Sequence, residues 1–112
     1  MTNTLIDVQY AQDLMGLDRA VIFEILADFK NTIPEYLVTL REYLKAQTYE
    51  PLVATVHAIG GSAAYIGAKQ IRDLAKQIEL NYKTHGAFVE ADYELFLKYL
   101  QDISNLDLSN LA

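Results

Sequence analysis

The chain has 112 residues, enough for one domain whose hydrophobic core needs neither a metal nor a disulfide. It contains no cysteine, which excludes a disulfide scaffold, a thiolate zinc site and thiol chemistry, and which suits a reducing compartment. A net charge of −6 with only nine Lys and Arg lacks the basic footprint that nucleic-acid binding needs.

Taken in order, Asn3 and Thr4 are candidate N-caps for a first short helix. Leu5, Val8, Ala11 or Gln12, and Met15 follow at spacings of three or four, and Gly16 suits the position after the last turn. Asp18 caps a longer segment in which Val21, Ile22, Ile25, Leu26 and Phe29 form a stripe. The stripe resumes after Pro34 with Tyr36, Leu37, Leu40 and Leu44, and the reading is one long helix kinked near Asn31–Ile33. Thr48 is the expected N-cap of the next helix, with Glu50 and Pro51 in its first turn. That helix, Leu52–Gly67, reads LVATVHAIGGSAAYIG. A further helix over 68–84 carries Ile71, Leu74, Ala75, Ile78 and Tyr82 and stops at His85-Gly86. The last, over 88–106, carries Tyr93, Phe96, Tyr99, Leu100 and Ile103. The expected fold is all-α: an antiparallel up-down-up-down four-helix bundle, with a short additional N-terminal helix packed across one end, in a single domain spanning residues 1–112. No apolar run approaches the roughly 20 residues of a membrane span. The segment MTNTLIDVQY has neither the basic start nor the apolar stretch of a signal peptide. A cytoplasmic, free-standing and monomeric protein without membrane contact is expected.

The Leu52–Gly67 helix has an unusual outer face. At 100° per residue, Leu52, Val56, Ile59, Ala63 and Ile66 cluster within about 40° of one direction, the core, and His57 lies roughly 140° away. The neighbours of His57 one turn along are Val53, Ala54, Gly60, Gly61 and Ala64, none with a polar side chain. Two adjacent glycines inside a helix cost on the order of 1 kcal/mol each relative to alanine. Gly60, at about 80° from the core direction, suits close helix packing, whereas Gly61, at about 180°, faces water. An exposed imidazole beside a bare surface is a place for another protein to sit.

A lone imidazole with an ordinary pKa near 6.5 is largely neutral and nucleophilic at pH 7. No serine or second histidine stands at triad spacing. His57 with Glu79 makes at best a two-ligand metal site, so no metal and no cofactor is expected. His85, in a Thr-His-Gly turn, reads as a solvated loop residue.

The run His57-Ala58-Ile59-Gly60-Gly61-Ser62, followed by Ala63, Ala64 and Gly67, resembles the signature of histidine-containing phosphotransfer (HPt) domains: His, any residue, Leu, Lys, Gly, Ser, then small residues and a glycine. Ile6-Asp7, Gly16-Leu17-Asp18, the Phe29 to Pro34 run, and the Leu74 to Glu79 run (Leu-x3-Ile-Glu) are similar to the family too, so the likeness covers nearly the whole chain. The resemblance implies that His57 accepts a phosphoryl group and that Gly61 clears space for the loops of a receiver domain. It also implies that Glu79 accepts a hydrogen bond from the histidine Nδ1. Ser62, at about 280° on the wheel, points away from His57 and is read as a packing residue. Partners would be response-regulator receiver domains and a hybrid sensor histidine kinase, in a multistep His-Asp phosphorelay, with no kinase activity in this chain. The departure is Gly60, where the family has lysine; Lys69, Arg72 and Lys76 of the next helix are the candidates to supply the missing cation. That departure keeps open an alternative, a receiver-docking module on the same fold that transfers nothing. A small helical hydrolase is the third reading, and no second ligand or base in the sequence supports it.

Overall fold

The computed structural model describes residues 5–111, and α1 spans Val8–Met15, α2 Arg19–Lys45, α3 Tyr49–Ala64, α4 Lys69–His85 and α5 Glu90–Ser104, with a closing 3-10 turn at Leu108–Leu111. Asn3 and Thr4 lie outside the described residues. The cap of α1 is Asp7, whose Oδ1 accepts the Tyr10 N–H at 2.9 Å, and Gly16 ends the helix in the left-handed region at φ 66°. Thr48 occupies the N-cap position of α3, but its hydroxyl donates backwards to the Tyr43 carbonyl at 3.2 Å and makes no cap bond. Asp18 likewise precedes α2 without a side-chain cap bond.

α2 is one helix of 27 residues with Pro34 inside it. Its buried positions are Ile22, Leu26, Phe29, Ile33 and Leu40, a single stripe stepping by three, four or seven. The expected stripe is corrected at Val21, which is 36% exposed; Ile33 belongs to it instead, because the helix keeps its phase through the proline. Pro34 itself is exposed, so the carbonyl it leaves without an N–H partner lies on the solvent side.

Helix α2 packs on α3 and α5, and α4 packs on α3 and α5, which closes a ring of four. Connections over 46–48, 65–68 and 86–89 are too short for anything but antiparallel neighbours, giving the up-down-up-down order. Leu52, Val56, Ile59, Ala63 and Ile66 are all fully buried, as the helical wheel requires, and meet Ile22, Leu26, Ile71, Ile78, Phe96 and Leu100 in one core. At one end of the bundle Phe88 lies 5.0 Å from Tyr49 and 5.2 Å from Tyr93, ring centre to ring centre.

The opposite end is closed by α1. α3 stops at Ala64, three residues earlier than its periodicity suggests, and the turn that follows ends in Gly67 at φ 71°. The Gly67 carbonyl accepts the Asp7 N–H at 3.0 Å, and a Cβ at position 67 would run into the Asp7 backbone. Lys69 pairs with Asp7 at 3.4 Å, and Arg72 donates to the Tyr10 hydroxyl at 2.8 Å. α1 is thereby fixed to the α3–α4 corner as well as to α2.

Candidate functional site

His57 stands in the middle of α3 on the side away from the core, with its side chain 69% exposed. Across the groove, Glu79 follows the buried Ile78 on α4, and its side chain is only 22% exposed. The two meet: the His57 Nδ1 lies 2.7 Å from the Glu79 Oε2. A carboxylate can only accept, so Nδ1 donates the proton of this bond, and in the neutral ring Nε2 keeps its lone pair. The second oxygen, Oε1, is 3.5 Å from the Lys83 ammonium one turn further along α4. Lys83 is a site residue that the sequence reading passed over; its spacing of four from Glu79 was the available signal.

His57 forms the common wall of two open hollows. One, of about 350 Å³, lies toward the start of α3 and is lined by Glu50, Val53, Ala54, Tyr82 and Lys83. The other, of about 250 Å³, lies toward its end, over Gly60, Gly61 and Ala64, with Arg72 and Lys76 on the α4 side. Of the residues expected to form a docking face, Ala54 and Gly61 are exposed and Ala64 is half-buried. Val53 and Gly60 correct that expectation. Val53 is 4% exposed and Gly60 is buried, because both are rotated from His57 toward α4 and form the floors of the hollows. A Cβ at Gly60 would lie 2.5 Å from the Ala75 Cβ, so this glycine is where α3 and α4 touch. Around Gly61 there is nothing within 4 Å of such a Cβ, so no packing requirement explains that glycine.

Of the three candidate cations, Lys69 is engaged by Asp7 and lies over the Tyr10 ring at 4.6 Å. Arg72 is held by Tyr10 and by Asp73 at 3.1 Å, and the Tyr10 hydrogen bond raises its pKa further above the usual arginine value. Lys76 is exposed and has no ion-pair partner among the described residues. Ser62 lines a separate groove with Ile25, Phe29 and Tyr65, facing α2 and not His57. His85 is exposed at the last position of α4. Among the described residues no three His, Asp or Glu side chains come together as a metal site, and no helix is long and apolar enough to cross a membrane.

The site is thus an exposed imidazole on a four-helix bundle, with its Nδ1 held by a carboxylate from the neighbouring helix. The family model of the Hpt domain matches residues 24–107, and the chain belongs to that family. No curated protein and no solved structure matches it significantly. Hpt domains are the phosphotransfer modules of two-component systems; they carry phosphoryl groups, are not kinases, and work with receiver domains and histidine kinases.

Proposed function

We propose that this protein is a phosphocarrier of a His-Asp phosphorelay, with His57 as the residue that accepts and donates the phosphoryl group. The single observation that carries the reading is the 2.7 Å bond from Nδ1 to Glu79. It prepares Nε2 for attack and supports the positive charge that the ring acquires. The lone pair of Nε2 attacks the phosphorus of a receiver's aspartyl phosphate. The bond from phosphorus to the carboxyl oxygen breaks, and the aspartate leaves with that electron pair. The product is a phosphoimidazolium whose Nδ1 proton stays on the bond to Glu79, so no proton needs to be moved. Onward transfer to a second receiver is the same step reversed. The receiver supplies its own metal and catalytic groups; the carrier contributes orientation and electrostatics. We assign it to the cytoplasm as a monomer, with receiver domains as partners and a hybrid kinase as the upstream source.

A receiver domain seats on a face that carries only a methyl at Ala54, no side chain at Gly61, and the half-buried Ala64. A second reading, docking without transfer, is favoured by one feature, Gly60 in place of lysine. Incubation with a phosphorylated receiver separates them. A carrier takes up a phosphate that is acid-labile and base-stable, and the His57→Gln protein takes up none. No label on the wild type from any receiver leaves only the docking module, and label that persists on the variant overturns His57 as the carrier residue.

A further inference from the structure

We propose that Lys76, reaching from α4 into the hollow above Gly60 and Gly61, is the cation that binds the phosphoryl group on His57. The inference deepens the carrier reading and rests on it.

A phosphoryl group on Nε2 brings two negative charges to within one side chain of Glu79. Each positive group nearby has to be asked whether it is free to answer. Lys83 neutralises Glu79 from the other hollow. Arg72 has its guanidinium committed to the Tyr10 hydroxyl and the Asp73 carboxylate, and Lys69 is tied to Asp7. Lys76 alone among the cations lining either hollow has no ion-pair partner among the described residues.

Register points the same way. Lys76 precedes Glu79 by three residues and so shares its face of α4, one turn toward the helix start. Because α3 runs antiparallel, that turn lies opposite Gly60 and Gly61, one turn beyond His57. Lys76 and His57 line the same hollow of about 250 Å³. The two glycines leave no side chain between them. Position 60 cannot supply the cation itself, since any Cβ there meets Ala75 at 2.5 Å. A lysine on the facing helix, with three donors on a flexible stem, can follow the phosphoryl oxygens from the incoming donor to Nε2.

Phosphoramidate tests this without a partner protein: the Nε2–P bond forms as the donor's P–N bond breaks and ammonia leaves. The expected result is labelling of His57 in the wild type, and labelling on the order of tenfold slower in Lys76→Ala, the loss of one charge-assisted hydrogen bond. Lys76→Arg restores most of the rate. Lys98→Ala, which removes the same charge from α5 outside both hollows, behaves as wild type. In the phosphorylated proteins, the ³¹P titration midpoint of the phosphoryl group moves up in Lys76→Ala, because a neighbouring cation no longer favours the dianion. A rate and midpoint in Lys76→Ala equal to those of Lys98→Ala overturn the proposal. So does a slower rate with an unmoved midpoint, which gives Lys76 a role in the bundle only. Failure of the wild type to be labelled, or label that survives His57→Gln, overturns the carrier reading itself and this inference with it.

Discussion

Replacing Glu79 by glutamine and by alanine separates two things that the carboxylate does for His57. Glutamine keeps an oxygen that can accept from Nδ1, so the ring stays oriented while the countercharge to the imidazolium is lost. Alanine removes both. Losing the group that orients a working histidine typically costs ten- to hundredfold. Phosphorylation by phosphoramidate should therefore fall by roughly that factor in Glu79→Ala, with Glu79→Gln retaining most of the rate. Stability should barely respond to either change, since a half-exposed ion pair contributes about 1 kcal/mol at most. Chemical denaturation beside the rate measurement would check that the loss is one of chemistry.

At the scale of elements, the two adjacent glycines of α3 do opposite jobs, and alanine tells them apart. Gly61→Ala meets nothing within 4 Å and gains the helix propensity of alanine, about 1 kcal/mol, so the melting temperature should rise by roughly 4 °C. Gly60→Ala gains the same propensity but drives a Cβ to 2.5 Å from Ala75, where overpacking typically costs 1–3 kcal/mol, so its melting temperature should fall. The double variant Gly60→Ala, Ala75→Gly should recover most of that loss. If Gly61 is kept bare for a partner, Gly61→Ala should also slow uptake from a phosphorylated receiver while leaving phosphoramidate labelling intact. Much of this was legible in the sequence. Period 3.6 placed Leu52, Val56, Ile59, Ala63 and Ile66 inward and His57 outward, and the family likeness singled out Glu79. What a wheel of one helix lacks is the position of its neighbour. Val53 and Gly60 stand at about 100° and about 80° on that wheel, at the border between core and water, and only the place of α4 decides that they are floor and not face. The same gap hid the ties from Tyr10 to Arg72 and from Asp7 to Gly67, contacts 62 and 60 residues apart in sequence with no local signature.

For the whole molecule, acid should loosen the α1 end first. Asp7 has its pKa lowered below the usual carboxylate value, chiefly because its carboxylate accepts the Tyr10 N–H, with Lys69 adding to the effect. A depressed folded-state pKa contributes stability that is complete above the unfolded value, near 3.8, and is lost as pH falls through the folded one. Asp7→Asn keeps the cap, since asparagine caps as well as aspartate, but has nothing to titrate. Between about pH 5 and the acid transition the variant should lose less stability than the wild type, while above that range it should be slightly the less stable for want of the Lys69 pair. Amide exchange read in α1 against the core of α3 would show whether the loss is local or shared by the bundle.

The close approach of Gly60 to Ala75 also constrains the order in which this sequence can change. A lysine one turn after His57 is not simply one substitution away, because the facing helix has closed on the place its Cβ would occupy. Position 75 would have to shrink to glycine first, and that step alone only opens a void between α3 and α4. The two positions are epistatic, and the route to a cation on α3 runs through a less well packed intermediate. A charge delivered from α4 needs no such intermediate.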